Sequence, residues 1–346
     1  MNNSRDTSRP AGMERALVLA ALALPAAAVA LRLSRSGSRG PPRALSSRYW
    51  REARTAVALA RRCGAAMLRA NRAARETKWK DGDGGIDPCT ATDLANERLV
   101  VEGLACAFPG HRVVGEEACS DAGAIPVLDD DATPTWIVDP IDGTQNFVHG
   151  LPCSCVSIGL AERGVPVLGV VFDPYRDELW VAAAGEGAFL NGARLAPPPA
   201  VDLAGGDLSS ATVLTDLGYE RGPAAAPLAR LYAALLDEKV RAVRILGSTV
   251  LSLCYVASGR ASSLVIGLVE RDCPKPWDWC AGTLVAREAG CHVAMVDARR
   301  APPGDASRPP TSGASFDLLS RSCVCASDEG LAAKLKQMAK AAQAGG

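Results

Sequence analysis

TWIVDPIDGTQNFVHGLP, residues 135–152, is the stretch from which the rest of the chain can be read. An apolar run ends at Asp139, the ring of Pro140 fixes the turn, and Asp142 stands three positions on. Both carboxylates can therefore converge just past a strand end. Gly143 and Thr144 then open the next segment with backbone N–H groups that suit a phosphate, above all at a helix N-terminus. Taken alone, the same residues also make an ordinary Asp/Pro/Gly turn.

Two further stretches tip that balance. RVVGEE (112–117) sets Glu116 and Glu117 just past another β-branched run, and PWDWCAG (276–282) puts Asp278 at the start of a predicted helix. Each has a plain reading, Glu117 as a solvated acid and Asp278 as a helix N-cap. Gathered in one place, however, these acids repel one another and any phosphate dianion unless hard cations lie between them. Mg²⁺ takes carboxylates, carbonyls, waters and substrate phosphate as ligands. Two or more such ions polarise a phosphoryl group, activate a water and stabilise the leaving oxygen.

Outward from these motifs the periodicities define a folded domain. Val57, Ala60, Gly64, Met67 and Leu68 recur at helical spacing, which predicts an amphipathic helix ending near Asn71. KWKDGDGG (78–85) reads as a mobile loop. A second helix is expected after Thr92 and Asp93, with Asp93 as its cap and Leu94, Arg98, Val101 and Leu104 on one face. Short β-branched runs at 112–115, 135–139, 155–160, 166–174 and 178–185 predict a largely antiparallel sheet. The second half mixes helices at 227–238, 248–259, 278–289 and 327–342 with strands in ATVLT and SSLVIG, and residues 301–315 read as a surface loop.

Composition narrows the function. The 346 residues carry 38 Lys+Arg against 38 Asp+Glu, and 48% are hydrophobic. A chain of this length and apolar content builds a sizeable core, and its zero formal charge gives no global field for a nucleic-acid polymer. The 12 Cys are too sparse for a disulfide framework and show no zinc-ligand spacing, so they read as buried, reduced thiols. Cys153/Cys155 and Cys323/Cys325 would share a face if each pair lay on a strand. Residues 1–50 are different in kind. A nearly uncharged run at 16–31 precedes LRLSRSGSRGPPR, shorter than the roughly 20 apolar residues of a membrane span. This extension reads as a targeting segment, removed in a plastid or mitochondrion or leaving a cytoplasmic protein, with a membrane anchor as the alternative.

GEE (115–117), DPIDGTQNF (139–147) and WDWCAG (277–282), in this order and at these gaps, resemble the inositol monophosphatase family of Mg²⁺-dependent, lithium-sensitive phosphatases. TATD (90–93), GAFLNG (187–192), GST (247–249) and SFDLLSR (315–321) extend the resemblance over about residues 51–342. It implies an α+β (α/β) fold, an alternating αβαβα layered sandwich of the inositol monophosphatase and sugar phosphatase type. It also implies a catalytic domain over 51–346, in two lobes of about 51–200 and 201–346, and a homodimer. By the same resemblance Glu116, Asp139 and the carbonyl of Ile141 hold a first Mg²⁺, and Asp139, Asp142 and Asp278 a second. Glu116 shares in a third. Thr144, hydrogen-bonded to Asp93, joins Glu116 in activating the attacking water, and the amides of Gly143 and Thr144 cradle the phosphate. Lys78 or Lys80 stands where the family has a lysine-bearing loop at the metals. Of the three His, only His149 lies near the phosphate loop.

The substrate implied is a small polyol phosphate, myo-inositol 1-phosphate first, with histidinol phosphate, a sugar 1-phosphate or a nucleotide 3′-phosphate as alternatives. The family's polyol-binding acid falls on Ile266 when aligned from GRASSLVIG and near Glu270 when counted back from Trp277, because LVERDCPKP (268–276) carries extra residues. Glu270 and Ser248 are the candidates. Two rival signatures compete. Asp129, Asp131 and Thr133 match a haloacid-dehalogenase nucleophile motif, although Pro126 weakens the strand it needs. Cys106 and Arg112 match the spacing of cysteine phosphatases, but the loop between them ends a helix and enters a strand, the reverse of that design. A non-catalytic scaffold with the same fold is the reading of a different class.

Overall fold

The computed structural model describes residues 42, 45, 48–70, 77–80, 85–122, 124–126, 128, 132–203, 205, 207–269, 274–297 and 316–345. Residues 1–41 of the N-terminal extension, the 301–315 loop, Glu270, Asp129 and Asp131 lie outside them. In chain order the elements are α1 (Trp50–Ala70), β1 (Thr77–Trp79), β2 (Pro88–Thr90), α2 (Ala91–Ala107), β3 (Arg112–Gly115), α3 (Glu116–Ala122), β4 (Thr135–Asp142) and α4 (Thr144–His149). Next come β5 (Cys155–Glu162), β6 (Val165–Asp173), β7 (Glu178–Ala183), β8 (Gly187–Leu190), β9 (Ala193–Arg194) and β10 (Thr212–Thr215). The chain closes with α5 (Ala226–Asp237), β11 (Ala242–Ile245), α6 (Thr249–Ala257), β12 (Ser263–Ile266), α7 (Pro276–Glu288), β13 (His292–Ala294), β14 (Cys323–Ala326) and α8 (Glu329–Ala344). No helix among the described residues is long and apolar enough to cross a membrane.

Strands β3 to β9 form a seven-stranded sheet in sequence order, in which β3 and β4 are parallel and every later pair is antiparallel. The largely antiparallel sheet expected from the sequence is therefore the observed one. A five-stranded sheet has the order β11-β10-β12-β14-β13, parallel among its first three strands and antiparallel beyond.

The strands are apolar on both faces, and alternation sorts the side chains into layers. On β4, Trp136 and Val138 pack against α1 and α2, through Leu59, Met67 and Leu104, while Ile137 points to the other side. There α6 and α7 fill the space between the sheets, with Leu251, Leu253, Trp279 and Ala281 meeting Leu264, Ile266 and Cys325. On the far face Val265 and Val324 meet Leu231 of α5 and Leu335 of α8. The result is helix, sheet, helix, sheet, helix, the αβαβα sandwich expected by resemblance.

Close approach in the middle layer depends on two glycines. Gly159 and Gly169 face each other across β5 and β6. A Cβ on Gly159 would lie 2.4 Å from Cys280 Sγ, and one on Gly169 would lie 2.7 Å from the backbone oxygen of Ala281. Bare backbone at both positions lets α7 lie directly on the sheet.

Two local expectations need correction. The N-cap of α2 is Thr90, which accepts from the Thr92 and Asp93 N–H groups, and Asp93 returns the favour by accepting from Thr90 N at 2.8 Å. The buried side of α2 is Asp93, Asn96, Glu97, Val100 and Leu104, while Leu94 is exposed. Apolar spacing misreads this helix because its inner face carries polar groups aimed at the cleft. Cys323 and Cys325 do share a strand face; Cys153 precedes β5 and shares none with Cys155. The described cysteines are free thiols, most of them buried.

Candidate active site

On a regular strand, residues 139 and 142, an odd number apart, would face opposite sides. β4 avoids this by a bulge. Asp139 pairs with Ser157 and Asp142 with Cys155, three steps against two, so the extra residue turns both carboxylates the same way. Asp139 Oδ1 accepts the Ile141 N–H at 2.9 Å, which closes the turn around Pro140. Asp142 sits at the head of α6, where its Oδ2 accepts from Val250 N at 3.0 Å and from the Ser248 hydroxyl. Asp278, in the first turn of α7, accepts from Lys275 N at 2.6 Å. The Asp139, Asp142 and Asp278 carboxylates each bring an oxygen within 4.8 Å of the others.

Glu116 opens α3 beside this cluster and lines the same cleft as Asp139. Lys80 Nζ bridges Glu116 at 2.8 Å and Glu117 at 3.1 Å. Lys78 is exposed and sits 3.8 Å from Asp121. Of the two lysines, Lys80 is therefore the one in the site. Glu117 is buried, contrary to the solvated-acid reading. Beneath them, Glu97 caps α3 by accepting the N–H groups of Glu117 and Ala118 at 2.8 and 2.9 Å.

Thr144 Oγ1 lies 2.9 Å from the Ile141 carbonyl and 3.4 Å from Asp93 Oδ1, so its single proton has two acceptors to choose between. Gly143, at φ +85°, fits only as glycine, because a Cβ would crowd the Cys153 and Gly247 carbonyls. The first hydrogen bond of α4 runs from Phe147 N to Gly143 O. The N–H groups of Gly143 and Thr144 precede it and belong to the donors a helix start leaves over.

Burial drives the acidity of the cluster. It holds Asp139 well above the ordinary carboxylate range, reinforced by Glu116, Asp142 and Asp278. Burial lifts Asp142 to about 6 against its hydrogen bonds from Ser248 and Val250. It lifts Asp278 to about 8, with Asp142 and Glu116 adding to the effect. Glu117 reaches about 8 through burial and the charge of Glu116, and Asp93 about 7 through burial opposed by Thr90. For Lys80, burial favours the neutral amine, but Glu116 and Glu117 outweigh it and keep the ammonium. Crowded hard oxygen donors that shed charge by holding protons are a donor set a Mg²⁺ ion fits.

The cluster floors a cleft of about 800 Å³. Glu116, Asp139, Ile141, Asp142, Gly143, Thr144 and Asp278 all line it, as the sequence motifs anticipate. Asp93 is fully buried behind Thr144. Ser248, a candidate for substrate contact, is buried and spends its hydroxyl on Asp142 instead. His149 is exposed at the far end of α4, and His111 accepts from Trp136 Nε1 in a stack with Phe108. Cys106 is exposed in the last turn of α2, and the chain from there enters β3, not the geometry of a cysteine phosphatase. Tyr219, Arg221, Lys275 and Arg321 also line the cleft; Arg321 closes the SFDLLSR motif, while the other three were not singled out in the sequence. One signal for the first two was available, since LGYERG follows the strand ATVLT as DPIDG follows TWIV.

The chain is similar to known proteins over most of its length. A family model described as the inositol monophosphatase family matches residues 50–343. Inositol monophosphatase 2 of Solanum lycopersicum is 40% identical over 248 residues, 71% of this chain and 83% of that protein. Inositol monophosphatase 2 of Homo sapiens is 37% identical over 297 residues, 85% of this chain and 92% of that protein. Among solved structures, the extragenic suppressor protein suhB of Bartonella henselae superposes with a TM-score of 0.66 at 26% identity, covering 83% of this chain and 97% of that one.

Proposed function

The chain belongs to the inositol monophosphatase family of phosphoric monoester hydrolases, and from that premise we propose that it hydrolyses a small polyol phosphate, myo-inositol 1-phosphate first. The observation that carries this reading is the convergence of Asp139, Asp142 and Asp278 beside the Gly143 and Thr144 amides. In this reading Glu116, Asp139 and the Ile141 carbonyl hold one Mg²⁺, Asp139, Asp142 and Asp278 a second, and Glu116 shares in a third. When bound, Mg²⁺ supplies Lewis-acid polarisation of the phosphoryl oxygens, a lowered water pKa and charge on the leaving oxygen's side.

The chain's own groups do the rest. The Gly143 and Thr144 amides bind and orient the phosphate. Thr144 Oγ1, within reach of both the Ile141 carbonyl and Asp93, would hand its proton to Asp93. The Thr144 oxygen is then free to take a proton from the attacking water, together with Glu116. Asp93, held near 7, is matched to such proton transfer at neutral pH. Water attacks phosphorus in line, the P–O bond to the alcohol breaks, and the leaving alkoxide takes a proton from solvent water to depart as the alcohol. Ser248 and Val250 keep Asp142 aimed throughout.

Phosphate release tests this on a panel of inositol 1-phosphate, histidinol phosphate, galactose 1-phosphate and a nucleotide 3′-phosphate, with Mg²⁺, with chelator and with Li⁺. Inositol 1-phosphate is expected to have the highest kcat/KM, chelator to abolish release and Li⁺ to suppress it. Mg²⁺ binding without release from any ester would instead mark a scaffold that kept the fold.

A further inference from the structure

Beyond β10 the chain turns through residues 216–221, DLGYER, with its own groups as braces. Asp216 Oδ1 accepts the Gly218 N–H at 3.1 Å, Gly218 takes φ +52°, and the Arg221 guanidinium donates to the Gly218 and Glu220 carbonyls at 2.9 and 2.7 Å. A turn tied at both ends presents its middle in a fixed pose. That middle, Leu217 and Tyr219, lines the cleft.

Tyr219 is half-buried, in the electrostatic field of Asp87, Glu116 and Asp278, with Lys80 opposing. Burial first, then these acids, keep its phenol protonated. Among the described residues no group hydrogen-bonds its hydroxyl. A half-buried phenol with no hydrogen-bond partner among the described residues is a group waiting for one from a ligand.

We propose that Tyr219 is a specificity-determining residue for the alcohol half of the substrate, its hydroxyl hydrogen-bonding a hydroxyl of the polyol. The inference rests on the polyol-phosphate reading above. A neutral phenol both donates and accepts, as an alcohol does. A phosphate dianion only accepts, and is better served by the Gly143 and Thr144 amides and by cations. Leu217 and Ile245, both partly exposed in the same cleft, offer apolar contact to the C–H face of a ring such as a cyclitol.

The test compares wild type with Tyr219→Phe on inositol 1-phosphate and on phenyl phosphate, whose alcohol has no further hydroxyl, and on inhibition by inorganic phosphate. The KM for inositol 1-phosphate is expected to rise about two- to tenfold, the loss of one neutral hydrogen bond, with kcat little changed. Phenyl phosphate turnover and phosphate inhibition should stay at wild-type values, which also reports an intact fold. A wild-type preference for the polyol ester with an unmoved KM in the variant, or an equal change for all three ligands, overturns the role of Tyr219 alone. Wild type that turns over no polyol phosphate overturns the substrate reading and this role together.

Discussion

Asp139 is the residue on which the cluster turns, since it is buried and feels Glu116, Asp142 and Asp278 at once. Asn at this position keeps the shape and removes the charge. Asp139→Asn is expected to lower phosphate release by more than about a hundredfold, the scale of losing one preorganised electrostatic group. The folded protein should not suffer, because in the absence of metal Asp139 already holds a proton and Asn keeps its shape. Its Tm in chelator is expected at or above that of wild type, while the Tm increase given by Mg²⁺ is lost. Cys106→Ser, far from the cleft, should leave release unchanged. The opposite pattern would move the chemistry to the cysteine.

At the scale of elements, α7 carries Asp278 and rests on Gly159 and Gly169. Gly169→Ala sets a methyl group against the backbone of Ala281, which no side-chain rotation relieves. It is expected to cost about 1–3 kcal/mol in urea unfolding and to weaken the Mg²⁺ response by shifting Asp278. An unchanged Mg²⁺ titration would uncouple the helix seat from the site. This seat was not legible in the sequence, where Gly159 and Gly169 are two of 33 glycines. Strands β4 to β7 were legible because their β-branched runs are long and punctuated by turns. β1, β9 and β13, two or three residues each, are too short to show an alternation. The acids Glu116, Asp139, Asp142 and Asp278 were found because each stands beside a strand end or a helix start with Gly or Pro nearby. Glu97 hid among the ordinary polar residues of a helix, and the bulge that aligns Asp139 with Asp142 exists only as pairing with β5.

For the whole molecule, the crowded acids link stability to pH. Asp142, Asp93, Glu117 and Asp278 hold protons to about 6, 7, 8 and 8, whereas an unfolded chain releases them near 4. Between those limits the folded, metal-free protein binds more protons. Their contribution to stability is therefore full below the unfolded value and is lost as pH rises through the folded ones. In chelator the Tm is expected to fall from about pH 5 to about pH 8.5, and Mg²⁺ should restore it most at the alkaline end, where protons no longer compete. A chelator Tm that climbs over this range would contradict the crowding. The ammonium of Lys80, wedged between Glu116 and Glu117, has a consequence of its own. If Glu116 receives a cation as proposed, loading becomes an exchange of one positive charge for another, so the grip is capped. A departing ion would leave behind a tenant ready to move back, and the pocket would then trade magnesium with its surroundings without coming apart.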